Sequence, residues 1–212
     1  MDREKKNGLY ILSGSQNLAI LKNISESLAG RIAIINLLLM TRSEIVESDK
    51  NTFIKNRLQM EISDPDRIDC SKSIPVFPYI WKGGYPKIME FPDHLVPWYW
   101  ESSLQTYIER DVRRVANIGS LQTFGNFTGL LATHSSGEIN HNQLGRELGV
   151  DRKTALAWTE IAQATFQWFL IPPFSRNPVK KIAGKPKGYF SDTGFMCISK
   201  RSPHLKLLAV IH

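Results

Sequence analysis

The sequence predicts an α-rich, mixed α/β chain: an α/β fragment first, then a mainly α winged-helix domain. Three observations predict this. Residues 8–46 alternate strand-like apolar runs with apolar residues at helical spacing. Residues 98–131 carry two further stripes at helical spacing. Residues 140–163 have the spacing of a helix-turn-helix, and two short apolar runs that suit a hairpin follow them.

"GLYILSGSQN" (8–17) reads as a buried strand ending in polar side chains. In "NLAILKNISESLAG", Leu18, Leu21, Ile24 and Leu28 lie on one helical face, and Gly30 is placed as a C-cap. "RIAIINLLLM" (31–40) is nearly all apolar and suits a strand buried on both faces. "TRSE" (41–44) has the form of a capping box, so a helix is expected to start there. Residues 62–97 hold six of the chain's 11 prolines and read as a connecting region of short turns. Within it, "WKGGYP" (81–86) combines a tight Gly83-Gly84 turn with anchoring aromatics. From Trp98 the pattern is helical. Leu104, Ile108, Val112, Val115 and Ile118 form one stripe, with Glu109 and Arg113 spaced as an ion pair on the other side. Gly119 ends that helix, and Leu121, Phe124, Thr128 and Leu131 form the next stripe.

"NHNQLGRELGVDRKTALAWTEIAQ" (140–163) is the best local motif. Leu144 and Leu148 face a core, and Gly145 is small where two helices cross closely. Gly149 stands where the turn needs a positive φ. Val150 plugs the turn, and Asp151 caps a second helix that carries Arg152, Lys153 and Thr154 in its first turn. Trp158 reads as core. "FQWFLIPPF" (166–174) reads as a strand, followed by a basic stretch and "GYFSD", which makes the motif a winged helix of 98–175. Such domains bind DNA, but they also serve as protein docking modules and lids. The charge favours phosphate. Net charge is +7, and Arg176, Lys180, Lys181, Lys185, Lys187, Lys200, Arg201 and Lys206 face a single acid, Asp192, between 176 and 206. Asp151 and Glu160 oppose a phosphate contact on the second helix itself.

Several chemistries lack their motif. No GxxxxGK[ST] occurs. "AGKPKG" (183–188) lacks the upstream Gly and the following Ser or Thr, and places Pro186 where a helix should start. No apolar run ending in paired acids is present to hold magnesium, and neither GxSxG nor HExxH occurs. The five His residues are scattered, and His94 beside Asp93 reads as a solvated pair. Cys70 and Cys197 stand far apart, which suits a reducing, cytoplasmic setting. No apolar run approaches the roughly 18–20 residues of a membrane span. No general base stands near Ser13 or Ser15 in sequence.

Four ordered blocks carry a family resemblance: "YILSGSQNLAILKNISESLAGRIAIINLLLMTRSEI", "WKGGYP", "SLQTYIERDVRRVANIGSLQTFGNF" and "KPKGYFSDTGF". Together they resemble a large group of prokaryotic AAA+ superfamily P-loop ATPases. In that family an ATPase core is followed by a winged helix and a nuclease-like C-terminal domain of unknown function. The resemblance implies that 1–61 is the end of the ATPase core and that 176–212 begins the C-terminal domain. It implies that "YILSGSQN" is the sensor strand, with Ser13, Ser15 and Gln16 near a γ-phosphate, and that Arg31 senses phosphate. ATP and Mg²⁺ are the cofactors of the full-length family. This chain resembles an internal fragment lacking the phosphate loop, so it is expected to use no cofactor alone, to have no catalytic or metal residues of its own, and to hydrolyse no ATP. Two partners are expected. One is DNA, met by Arg152, Lys153, Thr154, Lys180, Lys181 and Lys185. The alternative is a separate upstream P-loop-bearing polypeptide that this chain completes. No membrane partner is expected.

Overall fold

The computed structural model describes residues 11, 13–14, 33–46, 75–113, 119–177 and 184–200. The opening strand and the helix expected after it lie almost wholly outside them. Helix α1 (Arg42–Ile45) carries the expected capping box: Thr41 Oγ1 accepts from the Glu44 N–H at 3.3 Å, and the Glu44 carboxylate accepts from the Thr41 N–H at 2.7 Å. The strand expected over 31–40 needs correction. Residues 33–40 form no strand, and Ile35 and Leu37 are 88% and 97% exposed. An apolar run is buried on both faces only where neighbours cover it. Among the described residues no strand lies beside this one, and Met40 N–H instead donates to the Gly84 carbonyl at 2.9 Å.

Four prolines of the connecting region, Pro75, Pro86, Pro92 and Pro97, stand at helix starts. Pro75 precedes α2 (Val76–Lys82), Pro86 opens α3 (Pro86–Met89), and Pro92 precedes a 3₁₀ turn, Asp93–Leu95. Pro97 lies in the first turn of α4 (Val96–Thr106), where no intrahelical donor is lost. That helix therefore starts two residues before Trp98. It runs on into a π-helical stretch, Tyr107–Val112. Glu109 there accepts from Gln105 Nε2 at 3.1 Å in place of the expected Arg113.

Helix α5 (Leu121–Thr133) is capped by Ser120 and buries Phe124, Phe127, Thr128 and Leu131. Helix α6 (His141–Leu148) is capped by Asn140, whose Oδ1 accepts from the Asn142 and Gln143 N–H groups. Gly149 ends it at φ +70°. Helix α7 (Arg152–Ala164) follows, capped by Asp151. Strands β1 (Trp168–Ile171) and β2 (Lys187–Phe190) pair antiparallel, with Phe169 opposite Tyr189 and Ile171 opposite Lys187. The strand expected over 166–174 is shortened because Phe166 takes a positive φ and leaves the extended region. The linker before α6 joins the sheet edge: Ile139 N–H donates to the Pro186 carbonyl at 2.9 Å, and Glu138 bridges Lys187. Helix α8 (Thr193–Ser199) closes the described chain. The chain is thus α-rich with a small two-stranded sheet.

Side chains from all three expected segments after residue 61 share one core, from Ile88 and Val96 through Phe124, Leu144 and Trp158 to Phe190 and Phe195. Trp158 meets Phe124 and Phe127 edge-on at 5.6 and 5.4 Å, and Phe195 meets Tyr107 edge-on at 5.5 Å. Each such pair adds roughly 0.5–1.5 kcal/mol beyond area burial. The buried threonines of this core satisfy their hydroxyls locally, Thr128, Thr159 and Thr165 each donating to the carbonyl four residues back.

Candidate functional site

The α6–turn–α7 unit is built by three local devices. Gly149 supplies the left-handed residue of the turn. Gly145 lets the turn close, since a Cβ there would lie 2.7 Å from the Val150 carbonyl oxygen. Asp151 accepts the Thr154 N–H at 2.9 Å and so starts α7. Val150 is half-buried against the core. Arg152 and Lys153 are thereby held exposed on the first turn of α7. Thr154 is not free in the same sense, because its hydroxyl donates to Asp151 Oδ2 at 2.9 Å. Those two bonds from Thr154 hold the Asp151 carboxyl below its ordinary range, so a carboxylate stands beside the two cations. Glu160 is also exposed on α7. Burial, reinforced by the Arg152 charge and opposed by Glu160, lowers the pKa of His141.

The hairpin adds exposed Arg176, Lys185 and Lys187. Lys180 and Lys181 lie outside the described residues. Of the expected nucleotide-sensing residues, Ser13 is exposed, while Ser15, Gln16 and Arg31 lie outside the described residues. Gly184 and Lys185 run into β2 instead of a helix, so their backbone offers no row of helix N-terminal donors to a phosphate. Among the described residues no group of three or more His, Cys, Asp or Glu side chains could hold a metal.

A second constellation joins two of the quoted blocks and was not visible in the sequence. Asp192 is buried between them. Its carboxylate accepts the Gly84 N–H at 2.6 Å and the Phe195 N–H at 2.8 Å. Gly83, at φ +79°, packs against the same carboxylate, and a Cβ on Gly194 would lie 2.7 Å from the Lys82 carbonyl oxygen. Burial pushes the Asp192 pKa up, against the pull of the Gly84, Phe195 and Gly194 N–H groups. Lys82 pairs with Asp93 at 2.7 Å, so the partner of Asp93 is Lys82 and not the expected His94. Beside this clamp a cleft of about 490 Å³ is lined by Tyr85, Phe91, Trp98, Tyr99, Arg110 and Gln167, among others. Gly84 and Asp192 are 108 residues apart in the chain. The only sequence signal was that both blocks hold glycines beside aromatics.

The described chain is α-rich, with the capped helices α6 and α7 joined by a short turn and a two-stranded antiparallel sheet. The family model described as a domain of unknown function (DUF8612) matches residues 76–204, more than half of the chain, from α2 through α8. The chain belongs to that family. No curated protein and no solved structure matches it. No helix among the described residues is long and apolar enough to cross a membrane.

Proposed function

We propose that the chain binds duplex DNA through a winged helix in which α7 is the recognition helix. The observation that carries this reading is the exposure of Arg152 and Lys153 on the first turn of the second helix of a capped helix–turn–helix. Phosphate oxygens are met there by both side chains and by the positive end of α7. Arg176, Lys185 and Lys187 supply further phosphate contacts from the hairpin. Asp151 and Glu160 restrict the docking poses that α7 can take, because a phosphate against either is repelled. On this reading the chain is the DNA-holding part of an AAA+-like assembly and turns over no ATP alone. The test is fluorescence anisotropy with a labelled duplex. Arg152→Glu with Lys153→Glu should abolish the binding, and wild-type affinity in that variant would overturn the reading.

Residues 33–38 favour a second reading. Ile34, Ile35, Leu37 and Leu38 are exposed, and the segment is anchored just beyond by the Met40–Gly84 bond. Such a run can add to the sheet of a separate P-loop-bearing polypeptide and bury its side chains there. Co-purification with such an ATPase, lost when Ile35 and Leu37 are changed to Asp, is the expected result. Co-purification that survives those changes would overturn it.

A further inference from the structure

The outward face of the hairpin carries side chains that neither the core nor α7 uses. Alternation along β1 turns Trp168 into the core and Phe169 and Ile171 outward, 44% and 48% exposed. On β2, Gly188 and Phe190 are buried, while Lys187 is exposed and Tyr189 half-buried. The register sets Phe169 opposite Tyr189, and their rings stack at 5.6 Å with an interplanar angle of 20°. Neither ring belongs to the set packed on the core. Ile171 lies next to the pair on the same face, opposite Lys187.

We propose that this face is a stacking platform for the unpaired bases of a single nucleic-acid strand. The proposal rests on the nucleic-acid reading above and adds a second ligand form to it. An exposed Phe169 ring stacked on a half-buried Tyr189 ring, beside cations, offers what a strand of bases and phosphates requires: the aromatic pair takes a base, and the cations track the backbone. Lys187 stands on the face itself, with Lys185 just before β2 and Arg176 beyond β1. Charge complementarity is what selects the occupant. An apolar protein partner would leave those cations unpaired, whereas a phosphate strand uses them. Glu138, bridged to Lys187 at the sheet edge, is the acid that limits the strand's path on that side. A cross-strand aromatic pair also stiffens a hairpin by a small amount. That role alone does not call for the exposed Ile171 and the surrounding lysines.

The test uses the full chain and three labelled probes: an oligothymidylate, an oligouridylate and a blunt duplex. Phe169→Ala should weaken single-strand binding roughly ten-fold, since one stacked base is lost. Phe169→Leu keeps the apolar bulk and removes the π face, so it should weaken single-strand binding to the same extent while leaving duplex affinity unchanged. Lys187→Ala should lower the salt dependence of single-strand binding by about one phosphate. The two single-stranded probes decide whether the natural strand is DNA or RNA. Wild-type single-strand affinity in both Phe169 variants would overturn the platform, and it would do so even if the Arg152/Lys153 variant had lost duplex binding. Full rescue by Leu would also overturn it, because the contact would then be apolar and not a stack. Single-strand binding sensitive to Phe169, alongside unchanged duplex binding in the Arg152/Lys153 variant, would uphold the platform and overturn the α7 reading alone.

Discussion

Replacing Asp192 with Ala tests the clamp between the two halves of the core. The substitution removes a carboxylate that accepts two buried backbone donors, the N–H groups of Gly84 and Phe195. Each buried donor left unpaired costs roughly 1–3 kcal/mol, so the pair costs about 2–6 kcal/mol. A domain of this size is stable by only about 5–15 kcal/mol, so the loss is a large share of the total. Urea unfolding followed by tryptophan fluorescence reads it directly, because Trp100 packs in the same cluster. Asp192→Asn keeps one acceptor and remains a good N-cap, so its loss should fall between native and Ala. The pH dependence has a definite sign. Burial raises the Asp192 pKa above its ordinary value of 3.8, so the folded chain binds this proton more tightly than the unfolded chain. The stability it contributes is fully present below the unfolded value and is lost as pH rises through the higher folded value. Asp192→Asn should flatten that part of the stability profile. A midpoint for Asp192→Ala within about 0.5 kcal/mol of native would refute the clamp.

The remaining predictions follow from single positions. Gly83→Ala should destabilise far more than Gly149→Ala. The first combines φ +79° with a Cβ driven into the Asp192 carboxylate, while the second has φ +70° and open space, at a cost of about 1 kcal/mol. Equal losses in urea midpoint would contradict this. Leu37→Ser should change stability by less than about 0.5 kcal/mol, because Leu37 is 97% exposed. A loss of the size expected for a buried strand residue, roughly 2–5 kcal/mol, would restore the strand reading of 31–40. Burial raises the pKa of the half-buried Cys197 thiol, and Asp192 adds to the effect while Lys200 opposes it. In a Cys70→Ser background Cys197 should therefore react with a disulfide reagent more slowly in the folded chain than in urea. Equal rates would show that the thiol is free.

Local chemistry was legible and distant chemistry was not. The α6–turn–α7 unit could be read because each of its determinants acts within a few residues. Asn140 and Asp151 cap, and Gly149 takes the left-handed turn. The capping box at Thr41–Glu44 was legible for the same reason. Gly145 was read as a helix-crossing glycine, and what it approaches closely is the Val150 carbonyl of the turn. The apolar run 31–40 was misread because hydrophobicity states a preference for burial and names no partner. Asp192 was read only as the lone acid in a basic stretch. Its partner, Gly84, stands 108 residues earlier, and no periodicity in either segment connects them. The Phe169–Tyr189 stack depends on register. Both strands were expected, but the pairing that places those two rings opposite each other is set with the core-facing Trp168 and Phe190, which meet at 5.2 Å.

The salt dependence of duplex binding tests most directly whether α7 holds DNA. Measured as the logarithm of affinity against the logarithm of salt, the slope reports how many phosphates are neutralised, at about 0.9 for each. Arg152→Ala with Lys153→Ala should weaken binding and make the slope shallower by about 1.8, two contacts' worth. An unchanged slope and affinity in that variant, with the fold intact by urea unfolding, would contradict the role of α7 in holding DNA.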